Sequence, residues 1–330
     1  MHQRAADSRA PLTLSDVFNE HYRPTCLVGA AQETRREYQR VIRRWADVTG
    51  DPPLADIKNS TVASFYEALL EYPNKTGGRL SVNTVRKHAR HLQPVLDITG
   101  PPSRDRRDGL GLLAQVPWAR PPRSTQDVRP AMPPDDVSAM YRVADRAVYP
   151  YDERTGVRTA DWWRAALVLC WNTGLRIGTM IRLADDDVRW GERVIVVSGT
   201  LAPKTGKAQV VPIGDVVLRH LLLLRGAKAA LLAWPHRSVR MYDEFHRLRT
   251  LAHLPERRGV AWHAIRRAHA TLLARRSSSA AQMSLGHSSF KTTMAHYVQP
   301  EVLREAIDAL PQPAAFLELP GSGPQQLKMF

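Results

Sequence analysis

The sequence has 330 residues, 43% of them hydrophobic, which is enough for about two domains with ordinary cores. Lys and Arg number 47 against 32 Asp and Glu, giving a formal net charge of +15 and a pI of about 10.3. This excess favours a polyanionic partner, nucleic acid first and an anionic membrane surface second, and no apolar run reaches the roughly 18 residues that would span a bilayer.

The chain begins with a polar stretch, and residues 1–11 are predicted to be disordered. Because this stretch lacks the apolar core of a signal peptide, we expect a cytoplasmic, nucleoid-associated protein. Cys26 and Cys170 are far apart and have no metal-ligand neighbours, so neither a disulfide framework nor a metal site is expected.

Residues 12–100 have the pattern of an all-helical domain. Apolar residues recur at spacings of three and four in three segments, starting near Thr34, Thr61 and Ser81. Pro94 is expected to kink or end the third helix. Basic residues cover much of the remaining surface. A solvated surface explains any one of them, but as a set they favour contacts with DNA phosphates. The candidates in this domain are Arg35, Arg36, Arg86, Lys87 and Arg90.

Residues 101–133 contain seven prolines among arginines and glycines, and an eighth proline follows at Pro134. This composition predicts an extended linker. The linker either crosses DNA between two DNA-binding halves or is a plain tether.

Residues 134–310 predict a second, mixed domain. An apolar helix over 160–172 leads into Thr173-Gly174-Leu175-Arg176, and β-branched runs at 194–198 and 208–213 predict two strands around a turn. An edge strand is expected at 187–190, helices at 215–225, 241–253, 263–274, 280–285 and 292–297, and an irregular tail at 311–330.

The second domain also carries a set of residues suited to phosphodiester chemistry. Permanently charged, fork-shaped guanidiniums suit the non-bridging oxygens of a phosphate under attack, histidines and a lysine can move protons, and a tyrosine can act as nucleophile. In chain order the set is Arg176, Lys204, His263, Arg266, His287 and Tyr297.

This order, with the His263-Ala-Ile-Arg266 box and the Leu-Gly-His287-Ser turn, resembles the tyrosine recombinase (phage integrase) family. The resemblance implies a mainly α protein: an N-terminal helical core-binding domain, and an α+β catalytic domain with a small antiparallel sheet, closing as a C-shaped clamp on double-stranded DNA. It implies that Arg176 and Arg266 hold the scissile phosphate. His263 would be a general base or phosphate contact, and His287 a second contact.

By the same resemblance, Tyr297 forms a 3′-phosphotyrosyl intermediate on the way to a Holliday junction. Lys204, counted back from Val-Pro-Ile at 211–213, would be the general acid rather than Lys207, which is assigned to DNA binding. No cofactor is expected, because the phosphotyrosine conserves the bond energy. Thr179 and Ala264 stand where the family usually has supporting carboxylates, which puts the positioning of Arg176 in question.

An amphipathic set at Val302, Leu303, Ala306, Ile307 and Leu310 predicts a last helix. The resemblance implies that it docks on a neighbouring subunit of a tetramer on synapsed sites, formed from monomers; packing on its own domain is the alternative. Two other functions remain open: a hairpin telomere resolvase or type IB topoisomerase, and a DNA-binding regulator with weakened catalysis.

Overall fold

The computed structural model describes residues 11–74, 77–103, 107–123, 130–150, 156–201, 208–225, 230–256, 260–276 and 307–317. The chain divides into two compact units, Met1–Asp127 and Val128–Phe330, each with its own hydrophobic core. The fold is mainly helical with one small antiparallel sheet, so the predicted fold class is confirmed. Within these ranges, no helix is both long and apolar enough to cross a membrane.

The first unit is built from helices. They are α1 (Leu14–Val17), α2 (Arg23–Cys26), α3 (Gln32–Thr49), α4 (Asn59–Glu71) and α5 (Val82–Asp97), with a π-helical turn at Phe18–Tyr22 and a 3-10 turn at Leu54–Asp56.

Helical periodicity explains how α3 and α5 pack. In α3 the apolar stripe puts Trp45 fully inside the core, and the helix ends at Gly50, whose φ of 73° suits a residue without a Cβ. In α5 the Ser81 hydroxyl accepts the Thr84 N–H at 3.2 Å as an N-cap. Pro94 lies inside α5 but does not end it, since the helix continues to Asp97.

Much of the predicted linker belongs to the first unit. Residues 107–123 return along α5, with backbone N–H groups of Leu110 and Leu113 donating to the carbonyls of Ile98 and Thr99 at 2.8 and 2.9 Å. Ala119 is buried in the helical core. The prolines give this segment the composition of a linker, but the apolar residues between them pack against the helical core.

The second unit surrounds a buried helix. Its elements are α6 (Pro134–Arg142), α7 (Thr159–Thr173), α8 (Ile177–Met180), β1 (Val188–Arg189), β2 (Val194–Val197), β3 (Gln209–Pro212), α9 (Asp215–Leu222), α10 (Ser238–Leu251) and α11 (Trp262–Arg276), with 3-10 turns at Ala144–Arg146, Asp185–Asp187 and Ala314–Phe316.

Helix α7 is the centre of this core. The ring of Trp163 stacks on that of Trp262 at the start of α11, with centroids 5.5 Å apart and planes 13° apart. Both rings are at most 1% exposed, and each burial of a large side chain contributes on the order of 2 kcal/mol. Since His263 follows Trp262 directly, this packing also fixes where the His-x-x-Arg box begins.

The three strands form one antiparallel sheet in the order β1-β2-β3. Val197 pairs with Gln209, and Ile195 with Val211, so β2 and β3 form a hairpin whose connection spans 198–208. Lys204 and Lys207 belong to this connection, in its part outside the described residues. The predicted strand pair is therefore present, each strand slightly shorter than expected.

The segment 307–317 packs into its own domain. The Trp171 indole N–H donates to the Pro311 carbonyl at 3.1 Å, and the side-chain amides of Asn172 and Gln312 bind each other reciprocally at 2.8 and 3.1 Å. Phe316 is fully buried beside Tyr141. The tail predicted to be irregular from residue 311 thus begins as part of the core.

Ile307 and Leu310 are buried in the same way. For these two members of the amphipathic set, the alternative of packing on their own domain is the one observed. The other three members, Val302, Leu303 and Ala306, lie outside the described residues.

Candidate active site

Arg176 stands at a sharp turn after α7. Gly174 ends the helix with φ 59°, and the Gly174 N–H donates to the Cys170 carbonyl at 2.9 Å. The Thr173 hydroxyl accepts the Leu175 N–H at 3.2 Å, and the Arg176 carbonyl starts α8 by accepting from Thr179 and Met180. The half-buried Arg176 is therefore fixed between two helices.

Helix α11 brings Arg266 to the same turn. Its Nη1 donates to the Gly174 carbonyl, while Ala264 and Ile265 on either side of the helix are fully buried. His263, three residues earlier and on nearly the same face, is exposed. The structure thus brings Arg266 to the turn that carries Arg176, 90 residues away in sequence, while His263 lies about one turn earlier on the same helix as Arg266.

The electrostatics of Arg266 indicate an anion site. Its pKa is lowered from 12.5 to about 10, mainly by burial and also by the neighbouring charge of Arg176, with Cys170 acting in the opposite direction. At neutral pH the Arg266 guanidinium therefore stays charged. Two like charges close together in a partly buried site are stabilised by a bound anion. A pKa perturbed by burial and by a neighbouring charge is typical of functional sites.

Cys170 packs against the turn that carries Arg176. It is fully buried, and burial raises the pKa of its thiol to about 12. Its Sγ contacts the carbonyls of Leu175 and Trp262 at 3.9 and 3.8 Å, so it packs the turn as a small apolar residue.

Thr179, at the position where the family that the sequence resembles usually has a carboxylate, supports the hairpin connection by a hydrogen bond. Its hydroxyl donates to the Leu201 carbonyl at 3.3 Å, and Arg182 Nη2 donates to the same oxygen at 2.8 Å. Arg182 Nε also holds the Gly178 carbonyl at 2.7 Å. Leu201 is three residues before Lys204, so helix α8 anchors the hairpin that carries the predicted lysine. Sequence reasoning missed Arg182, because a single arginine in the turn after a short helix has no distinguishing pattern.

Ala264 occupies a position where a carboxylate would be costly. It is fully buried, and its carbonyl accepts the Met132 N–H at 3.0 Å. An ionised side chain at such a fully buried position would lose its hydration. The departure from the family's usual box therefore fits this core.

The remaining predicted catalytic residues, Lys204, His287 and Tyr297, lie outside the described residues, as does Lys207. Within the part of the chain that the structure describes, no group of three or more His, Cys, Asp or Glu could hold a metal ion.

The basic residues of the helical unit fall into two groups. Arg35, Arg36 and Arg90 are exposed, with Arg36 in a loose ion pair to Glu33 at 3.6 Å. The other two, Arg86 and Lys87, have partners within the unit: Arg86 Nη1 donates to the Pro122 carbonyl at 2.7 Å, and Lys87 Nζ binds Glu37 at 2.8 Å. The exposed three remain the better placed for DNA.

Glu37 is the acceptor that organises the α3–α5 face. Burial raises its pKa, but hydrogen bonds from Lys87 and Arg40 outweigh burial and lower the pKa from 4.5 to about 2. Nearby, buried His88 contacts Arg44, and its Nδ1 donates to the Thr84 carbonyl at 3.0 Å. These contacts explain why part of the basic face is structural.

A helical protein with a small sheet and two arginines converging at one turn fits the class of DNA recombinases. A model of the phage integrase family matches residues 132–304, just over half of the chain. The chain therefore belongs to the phage integrase family of tyrosine recombinases.

Solved structures of integrases share the fold. Tn1549 transposon integrase bound to a circular intermediate DNA is similar with a TM-score of 0.61 at 20% identity, covering 87% of this chain and 96% of that one. A lambda integrase tetramer bound to a Holliday junction gives a TM-score of 0.62 at 19% identity, covering 91% and 82%. A lambda integrase dimer on a core site gives 0.58 at 18%, covering 87% and 98%. A search of curated proteins found no match.

Proposed function

We propose that this protein is a site-specific DNA recombinase that cuts and rejoins strands through a 3′-phosphotyrosyl intermediate and a Holliday junction. The observation that carries the proposal is the meeting of Arg176 and Arg266 at the Gly174 turn, with the lowered pKa of Arg266. Such a pair can bind the two non-bridging oxygens of a phosphodiester and stabilise the charge that grows on them.

The proposed step is a transesterification. The Tyr297 phenol, whose free pKa is near 10, loses its proton to His263 in this strongly positive place. Its oxygen attacks phosphorus and forms the new P–O bond, while the bond to the 5′ oxygen of the next nucleotide breaks. That oxygen takes a proton from Lys204, and His287 contacts the phosphate. One ester replaces another, so the step balances without a co-reactant.

The proposed substrate is double-stranded DNA, bound by exposed residues such as Arg35, Arg36 and Arg90 and by Lys207 of the hairpin. Related integrases have been solved on DNA, and that of lambda as a tetramer on a Holliday junction. We propose a tetramer on synapsed sites, assembled from monomers. Sizing of complexes on one site and on paired sites tests this, and tetramers without DNA would contradict it.

The first experiment identifies the site and the nucleophile together. Cells expressing tagged wild-type protein or Tyr297→Phe are lysed in denaturant, and the DNA that stays attached to the protein is sequenced. Wild type should retain one recurrent sequence, and Tyr297→Phe none. Tyr242→Phe, a partly buried tyrosine of the same domain, is the matched control and should retain DNA.

The second experiment tests the arginines on the captured site. A substrate nicked beside the cleavage position traps the covalent complex, because the short product leaves. Arg176→Lys and Arg266→Lys keep the charge but lose the fork, and each should lower the cleavage rate by about 100- to 1,000-fold. The control is Arg267→Lys, since Arg267 follows Arg266 directly in sequence and donates from Nε and Nη2 to the Pro130 carbonyl.

Two outcomes would redirect the assignment. Relaxation of plasmids without any recurrent site would favour a type IB topoisomerase. Specific binding with no covalent DNA from wild type would favour a regulator that keeps the fold.

A further inference from the structure

The end of α7 is held by side chains from α11. The last four carbonyls of a helix have no donor within it, and here they are those of residues 171–174. His269 Nδ1 lies 2.8 Å from the Trp171 carbonyl, and Arg266 Nη1 donates to the Gly174 carbonyl. His269 and Arg266 are one turn apart on α11, so one face of that helix binds both ends of the last turn before Arg176.

His269 donates a hydrogen bond to the end of α7 and also fills the space beside Gly174. Its ring is fully buried, and a Cβ built on Gly174 would lie 2.5 Å from its Cδ2 atom, so the ring fills the space that Gly174 leaves open. Because a carbonyl can only accept, Nδ1 must carry the proton. Burial lowers the pKa of His269 to about 4 against the effect of the Trp171 bond, and the charge of Arg266 lowers it too, so the ring adds no third charge to the site.

We propose that His269 is a positioning residue for the phosphate-binding arginines, acting through its hydrogen bond to the Trp171 carbonyl. This inference rests on the proposed function. Arg176 is five residues after Trp171, and the intervening Thr173 and Leu175 are buried, so a shift of the helix end is transmitted to the guanidinium. His269 itself does not bind DNA.

The hydrogen bond and the volume of the ring can be separated by two substitutions. His269→Asn puts an amide N–H where Nδ1 stands but leaves a small void. His269→Leu fills the space but leaves the Trp171 carbonyl without this donor. If the hydrogen bond positions the turn, Asn is the better replacement; if His269 only fills the core, Leu is.

A second buried histidine provides the matched control. His220 on α9 is 1% exposed, its Nδ1 bonds the Val216 carbonyl at 2.7 Å, and its Nε2 meets the Tyr141 hydroxyl at 2.6 Å. It belongs to the same domain and has a similarly lowered pKa through burial. His220→Leu therefore reproduces the loss of a buried, hydrogen-bonded histidine away from the arginine turn.

The test measures single-turnover cleavage of the nicked substrate at saturating DNA, per folded molecule, together with DNA affinity. His269→Leu should cleave about 10- to 100-fold more slowly with unchanged affinity, as expected for a catalytic group displaced by up to about 1 Å. His269→Asn should recover most of the rate, and His220→Leu should match wild type. Equal losses in Asn and Leu, or in His220→Leu, would overturn the proposal.

Hydrogen exchange of the peptide over 171–177 gives a readout that needs no catalysis. Exchange should be faster in His269→Leu than in wild type, and close to wild type in His269→Asn and His220→Leu. If wild-type protein forms no covalent DNA, the proposed function fails while this measurement still decides whether His269 holds the turn. His269→Met serves as a second donor-free variant if the Leu variant does not fold, and unchanged exchange in it would refute the inference.

Discussion

The two hydrogen bonds that converge on the Leu201 carbonyl lead to a prediction about the leaving group. Thr179 and Arg182 anchor Leu201 within the hairpin connection, and Lys204, three residues later in the same connection, is the proposed acid. Thr179→Val keeps the side-chain shape and removes one donor, and Arg182→Gln shortens the other. We expect both variants to bind DNA and to lose part of the proton transfer to the 5′ oxygen.

The size of the effect follows from the bonds. A hydrogen bond contributes about 1 kcal/mol net, which corresponds to about fivefold in a rate, and the exposed Arg182 belongs at the low end. Thr179→Val should therefore cleave about fivefold more slowly, and Arg182→Gln by no more than about fivefold. Because each single variant leaves the Leu201 carbonyl one donor and only the double variant removes both, the double variant should lose at least the product of the two single losses.

A substrate with sulfur in place of the bridging 5′ oxygen identifies the affected step. A thiol has a pKa near 8.5, so a thiolate leaves without the proton that an alkoxide needs. The losses in Thr179→Val and Arg182→Gln should nearly disappear on this substrate, as should that of Lys204→Ala. Equal losses on the oxygen and sulfur substrates would refute the reasoning.

Arg189→Gln provides the control for charge. Arg189 lies on β1 in the same domain, in an exposed ion pair with Glu192 at 3.5 Å. The Arg189→Gln substitution removes one positive charge, as Arg182→Gln does, but leaves both hydrogen bonds to the Leu201 carbonyl in place. It should cleave both substrates at the wild-type rate.

Three further predictions concern stability and DNA binding. Phe316→Ala should lower the free energy of unfolding by about 3–5 kcal/mol in denaturant titrations, because Phe316 is fully buried, whereas Leu317→Ala, 61% exposed, should change it little. Glu37 has a folded pKa near 2 against 4.5, so its stabilisation is present above pH 4.5 and is lost as pH falls towards 2. Glu37→Gln should therefore flatten the unfolding free energy over that window, and an unchanged pH profile would contradict the pairing with Lys87. Arg90→Gln should reduce the slope of log affinity against log salt by about one, while Arg86→Gln should instead loosen the 107–123 segment, measured by hydrogen exchange.

The Phe316 result also bears on truncation. Removing residues 301–330 would take away Phe316 and the Trp171–Pro311 bond along with the predicted helix. We therefore expect such a truncation to destabilise the catalytic domain, so that a loss of synapsis in it would not by itself demonstrate docking between subunits. Substitutions at Val302 and Leu303 are the cleaner test.

Periodic patterns and fixed spacings made the helices and part of the site predictable. Trp45 lies in an apolar stripe, the β-branched runs pair as strands, and His263 and Arg266 share a helix face because they are three residues apart. Each of these features depends on neighbours along the chain. Local sequence therefore carries enough information to place them.

The features that sequence missed depend on partners far along the chain. Each of three side chains donates a hydrogen bond to a carbonyl far along the chain. Arg182 binds Leu201, 19 residues away; Arg86 binds Pro122, 36 residues away; and Trp171 binds Pro311, 140 residues away. Their acceptors are backbone carbonyls, which every residue has, so no side-chain pattern marks them. The packing of segment 107–123 on the first unit was not predicted for a related reason, since proline disfavours helix but does not exclude packing.

The stretch between Arg276 and Ile307 is preceded by α11 and followed by the segment 307–317. Both of these neighbours pack in the same domain. Tyr297 is ten residues before Ile307, and an extended chain covers at most about 3.5 Å per residue. The Cα of Tyr297 can therefore lie no further than roughly 35 Å from Ile307. This chain length sets an upper bound on the distance over which the proposed nucleophile can be delivered to a DNA strand.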